Sequence, residues 1–214
     1  MIEFRSSHVT YVQVDFPIPG PDFVSKDRDK MLKMQIGLQH AKALKASHVM
    51  FVDADDCVSK RLTEYVKQNP IKNGWFFSKG FDYQENIMRL RYRNRNLHLR
   101  TNTSHIIRLD LLEFEMQLSP DGVKQGGCVL FHNDTAAMLK KRGTPLNPLP
   151  FRGVIYVTNN GENIWWKQEV LASKKSDHIQ QDASLLKKFY QTLITCPITD
   201  SIRDEFGLYM IKNI

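Results

Sequence analysis

No apolar run in this chain approaches the roughly 18 residues that a membrane-spanning helix needs, so no transmembrane segment is expected. The first five residues, Met1 to Arg5, lack the basic-then-apolar layout of a secretion signal. Cysteine is scarce: Cys57, Cys128 and Cys196 are odd in number and far apart, and no pair has zinc-site spacing. That fits reduced thiols and a cytoplasmic protein. Internal repeats, low-complexity tracts and Pro/Gly-rich linkers are also missing, so the 214 residues read as one domain. Within it, 1–180 is expected to form an α/β core and 181–214 a C-terminal helical extension. A hydrophobic fraction of 42% and a charged fraction of 25% are those of an ordinary globular chain. The net charge of +7 suits a plain basic surface, and equally one that meets nucleic acid, anionic headgroups or a phosphate-bearing ligand.

The most informative stretch is Val49-Met50-Phe51-Val52-Asp53-Ala54-Asp55-Asp56. Four apolar residues lead straight into three acids. The apolar part predicts a buried strand of a parallel sheet. The acids then fall past its C-terminal end, where open α/β sheets place their ligands. Carboxylates this close repel one another unless a positive group is near. A divalent cation carrying a diphosphate supplies one, since Mg²⁺ typically takes one or two carboxylates plus substrate phosphates. The bland reading is a solvated loop in which Asp56 caps the next helix.

Around this motif the chain predicts a strand over 8–16 and a helix over 27–44 whose apolar face is Met31, Met34, Leu38 and Ala41, capped by Ser25 or Asp27. With the strand over 48–53 this makes a strand–helix–strand unit, for which a right-handed parallel crossover is the default. A short helix follows Ser59, then strands at 75–78 and 87–93 joined as a hairpin. A helix or turn is expected at 109–117, a loop at 119–127, a helix at 134–141 ending near Gly143, and a strand at 154–157. Two short helices, 182–194 and 199–211, close the chain. Arg89, Arg91, Arg93 and Arg95 alternate along one strand and share a face. They read either as a phosphate or acidic-acceptor surface or as charge guarding an edge strand. Tyr92 lies on the opposite face, which argues against nucleic acid.

The helix, the apolar strand and Asp53-Ala54-Asp55-Asp56 resemble the core of GT-A glycosyltransferases, especially the family 2 type. His132-Asn133-Asp134, then Met138 to Gly143, then Leu149-Pro150 and the strand at 154–157 are similar to a later segment of that family. The resemblance spans roughly residues 9 to 165. It implies an α/β, Rossmann-like, mostly parallel sheet flanked by helices, with a β-hairpin and C-terminal helices. It also implies a metal-dependent, inverting transfer of a sugar from a nucleoside diphosphate sugar to an acceptor hydroxyl. In that scheme Asp55 holds Mn²⁺ or Mg²⁺ on the diphosphate, and His132 is a further metal contact. Asp53, Asp56 and Lys30 face the donor, and Asp134 takes the proton from the acceptor.

Asn133 stands where the family carries glutamate, and the chain has one strand–helix unit fewer ahead of the acidic strand. A variant lacking that N-terminal unit is therefore expected. The acceptor, whether glycan, lipid or protein, is left open, and peripheral membrane contact is compatible with the reading. Two other classes compete. One is a haloacid-dehalogenase-like phosphatase with Asp53 as nucleophile and Asp55 as acid/base. The other is a truncated transferase fold serving as a non-catalytic binding module.

Overall fold

Asp22 starts the longest helix, α1 (Phe23–Ala43), its carboxylate accepting the Ser25 N–H at 2.8 Å. This cap lies upstream of the expected Ser25 or Asp27, so the helix gains a turn at its start. Met31 and Leu38 of the expected apolar face are buried, seven residues apart and so on one side of the helix. In the computed structural model, residues 8–84, 87–112, 115–119, 122–126, 134–158 and 194–208 are described. They group into two compact units. The first holds α1 and an antiparallel hairpin, β7 (Glu115–Ser119) with β8 (Gly122–Gly126). The hairpin occupies a region expected as helix and loop. Residues 8–20, expected to form a strand over 8–16, make no strand pairing.

The second unit is built on two sheets. The first has the order β1 (His48–Met50), β6 (His105–Arg108), β3 (Gly74–Phe76), β9 (Asn147–Pro148). The other has the order β11 (Thr195–Pro197), β5 (Arg89–Arg93), β4 (Gly80–Gln84), β10 (Val154–Thr158), β2 (Cys57–Val58). Helices α2 (Arg61–Lys67), α3 (Thr135–Lys141) and α4 (Asp200–Phe206) belong to the same unit. Alternation along β10 sorts the cores of the five-stranded sheet. Val154 and Tyr156 face one way, into a core with Trp75, Phe77, Leu97 and Ile106, where the two sheets meet. Ile155 faces the other way and packs with Phe81, Leu90 and Phe206 of α4. The backbones of β3 and β6 approach so closely at Gly74 (φ +132°) that a Cβ there would lie 2.0 Å from the Ile106 carbonyl oxygen.

The expected mostly parallel, Rossmann-like sheet flanked by helices is not formed. Among the described residues only β3–β9 and β4–β10 run parallel, and every other pairing is antiparallel. β1 lies at the edge of its sheet, antiparallel to β6, with Val49 opposite Ile107. Its residues are half-buried and Val52 beyond it is 47% exposed, so the apolar run is not a central strand covered on both faces. The predicted crossover fails because its first strand does not pair. The predicted hairpin is shifted: β5 pairs with β4, while β3, the strand read at 75–78, joins the other sheet. α2, α3 and α4 fall within the expected segments, and β10 runs one residue past the expected 154–157.

Candidate functional site

The three acids occupy a tight turn directly after β1. The Asp56 N–H donates to the Asp53 carbonyl at 3.0 Å, closing Asp53-Ala54-Asp55-Asp56. Two buried hydroxyls from the segment leading into β6 fix this turn. The Asp53 N–H donates to Thr103 Oγ1 at 2.8 Å. Thr101 Oγ1 donates to the Asp56 carboxylate at 2.9 Å and accepts the Thr103 N–H at 3.1 Å. The other Asp56 oxygen accepts the Val157 N–H at 3.0 Å, so the turn is bonded to β10 as well. β2 covers β10 only at Val154 and Ile155, and the Asp56 carboxylate takes the backbone donor just past that cover. Thr101 and Thr103 are both buried. Asp56 is therefore a brace. Asp53 is half-buried and Asp55 is exposed, both in a turn bonded at its two ends.

Burial pushes the Asp56 carboxyl up to about 6, against the pull of hydrogen bonds from Thr103, Val157 and Thr101; the neighbouring Asp55 charge adds to the rise. The folded state thus holds the Asp56 proton more tightly than the unfolded chain does. Its contribution to stability is complete below the ordinary value of 3.8 and is lost as pH rises through about 6. The span corresponds to about 3 kcal/mol. We expect Asp56→Asn to flatten the wild-type loss of stability between these two pH values, as read from urea unfolding at each. The amide oxygen can keep the Val157 N–H, and the amide N–H can turn to Thr101. Asp56→Ala leaves the Val157 N–H unpaired and should cost about 1–3 kcal/mol at neutral pH. An unaltered pH slope in Asp56→Asn would assign the titration to another group. Burial and the adjacent acids also push the Cys57 thiol up, so it stays protonated and acts as a small packed residue.

The other candidates lie apart from this turn in the chain. Asp134 sits at the head of α3, exposed; its carbonyl accepts the Met138 N–H at 2.8 Å and its side chain makes no cap bond. Lys30 belongs to α1 in the other unit, one turn from Asp27, whose carboxyl burial raises and the Lys30 charge lowers. His132 lies outside the described residues, as do Asn133 and the segment 159–193. Thr101, Thr103 and the Val157 amide are the residues that sequence reasoning missed. The signal was Thr101-Asn102-Thr103-Ser104, a polar run entering the apolar pair Ile106-Ile107 where a solvated loop would be the usual reading.

Among the described residues no three His, Cys, Asp or Glu side chains are grouped so as to hold a metal ion. Comparison with protein families, with characterised proteins and with solved structures yields no match.

Proposed function

We propose that this chain is a metal-dependent glycosyltransferase that moves a sugar from a nucleoside diphosphate sugar to an acceptor hydroxyl with inversion. The observation that carries the reading is the braced acidic turn. Asp56 and two buried threonines spend their hydrogen bonds on holding the backbone, and Asp53 and Asp55 are presented beside it. In this scheme Asp55 holds the cation and Asp53 meets the nucleoside side of the donor. A bound Mn²⁺ or Mg²⁺ supplies positive charge against the departing diphosphate. Asp134 removes the proton of the acceptor hydroxyl as that oxygen bonds to the sugar carbon and the bond to the diphosphate breaks.

Calorimetric titration of the whole chain with UDP and with GDP, each with and without Mn²⁺, tests the reading. Binding that requires the metal is expected, and absent or metal-independent binding would refute it. A binding module without catalysis is the second reading. It is favoured by the unpaired segment 8–20, which leaves β1 without a second strand among the described residues. Metal-dependent binding with neither transfer nor hydrolysis of the nucleotide sugar would select it.

A further inference from the structure

β5 is an inner strand, flanked by β4 and β11. Its arginines therefore do not guard a sheet edge, and that explanation for Arg89 and Arg91 falls away. Register places them instead. Arg91 is opposite Asp82 on one side and Thr195 on the other, and Asp82 is beside Tyr156 of β10. Tyr156 faces the core shared with the first sheet, so Arg89, Arg91 and Arg93 lie on the sheet face toward β1, whose Met50 packs in that core. Arg89 and Arg91 are also toward the matching end, whereas Arg93 pairs with Gly80 at the other. Asp56 bonds Val157 near the end of β10, and β10 runs parallel to β4, which ends at Gln84 just before β5 begins at Arg89. Three strand spacings separate β2 from β5, about 14 Å. Asp82, Gln84, Tyr156 and Thr158 lie on the same face of the two intervening strands, and none of the four is buried.

The three guanidinium groups differ in what they already hold. Arg93 is neutralised by a two-pronged pair with Asp82. Arg89 donates from Nε to Thr195 Oγ1 at 2.8 Å and from Nη2 to the Thr195 carbonyl at 3.3 Å, which orients it without cancelling its charge. Arg91 is exposed. Neither Arg89 nor Arg91 has a carboxylate partner among the described residues. Two residues apart on one strand, they stand about 7 Å from each other. With no carboxylate partner among the described residues, two forked donors at that spacing match a phosphate group in charge and geometry.

We infer that Arg91, with Arg89 oriented by Thr195, forms a phosphate-binding subsite across the sheet from the acidic turn, and that the acceptor of the reaction carries a phosphate monoester. The word acceptor rests on the function proposed above; the phosphate subsite does not. The test uses the metal-free whole chain without nucleotide, so the two can fail separately. Arginine Nε–H resonances are followed during titration with phenyl phosphate, and in a second arm binding is measured to vesicles of phosphatidylcholine with and without phosphatidic acid. Shifts at Arg89 and Arg91, and at least a tenfold weaker affinity in Arg91→Gln partly restored in Arg91→Lys, are expected. Binding in the first arm assigns a soluble phosphate ester, and binding confined to phosphatidic acid vesicles assigns a lipid-borne one. Asp55→Ala should bind phenyl phosphate as the wild type does. Undisturbed arginine resonances together with no preference for phosphatidic acid, or equal affinity in Arg91→Gln, would overturn the subsite. In a separate competition with UDP and Mn²⁺ added afterwards, displacement of phenyl phosphate would overturn the assignment to the acceptor and leave the phosphate subsite standing.

Discussion

Asp55→Ala is expected to weaken Mn²⁺-dependent binding of a nucleoside diphosphate on the order of 10²-fold, about 2.7 kcal/mol, with the turn itself kept. Asp55 is exposed, and the bonds that close and brace the turn run through the Asp53 backbone, Asp56, Thr101, Thr103 and Val157. Removing its carboxylate leaves each of those bonds in place. A cation that relies on few protein oxygens loses a large share of its protein shell when one disappears. Calorimetry with UDP and Mn²⁺ reads the effect, with metal-free UDP as the baseline. Affinity equal to the wild type would place the cation elsewhere.

Asp134→Asn should leave donor binding intact and slow transfer by roughly 10²–10⁴, the usual worth of a general base. The substitution is clean for a structural reason. Asp134 occupies the cap position of α3 with its side chain unbonded there, and asparagine serves that position about as well as aspartate. The helix stays anchored through Thr135 and Leu139, both buried. Turnover of a nucleotide sugar measured beside donor affinity separates chemistry from binding. Wild-type turnover in this variant would give the proton to another group.

The local pattern of the chain was more legible than its long-range pairing. Met31 and Leu38 marked the buried side of α1, and Ser59 marked the approach to α2, where its Oγ accepts the Arg61 N–H. The alternation Arg89-Leu90-Arg91 announced a strand with one charged face. Periodicity says nothing about direction or neighbours. An apolar run such as 49–52 reads the same beside a parallel or an antiparallel partner, and here the partner is β6, more than fifty residues downstream. β6 itself was overlooked because His105 and Arg108 flank its only two aliphatic residues. At the site, acidity made Asp53, Asp55 and Asp56 conspicuous but did not rank them. Which one turns inward depends on hydroxyls contributed from Thr101 and Thr103, and no spacing rule connects positions that meet only in three dimensions.

The bond from Val157 to Asp56 has a practical consequence. A strand amide beyond the reach of its neighbouring strand would ordinarily trade its hydrogen for deuterium quickly, and here a single side chain protects it. Deuterium uptake at Val157 thus becomes a local gauge of whether the loop of acids is seated. Slow uptake in the wild type and rapid uptake in Asp56→Ala, with the rest of β10 unaffected, would turn one peptide hydrogen into a readout that needs neither sugar nor metal.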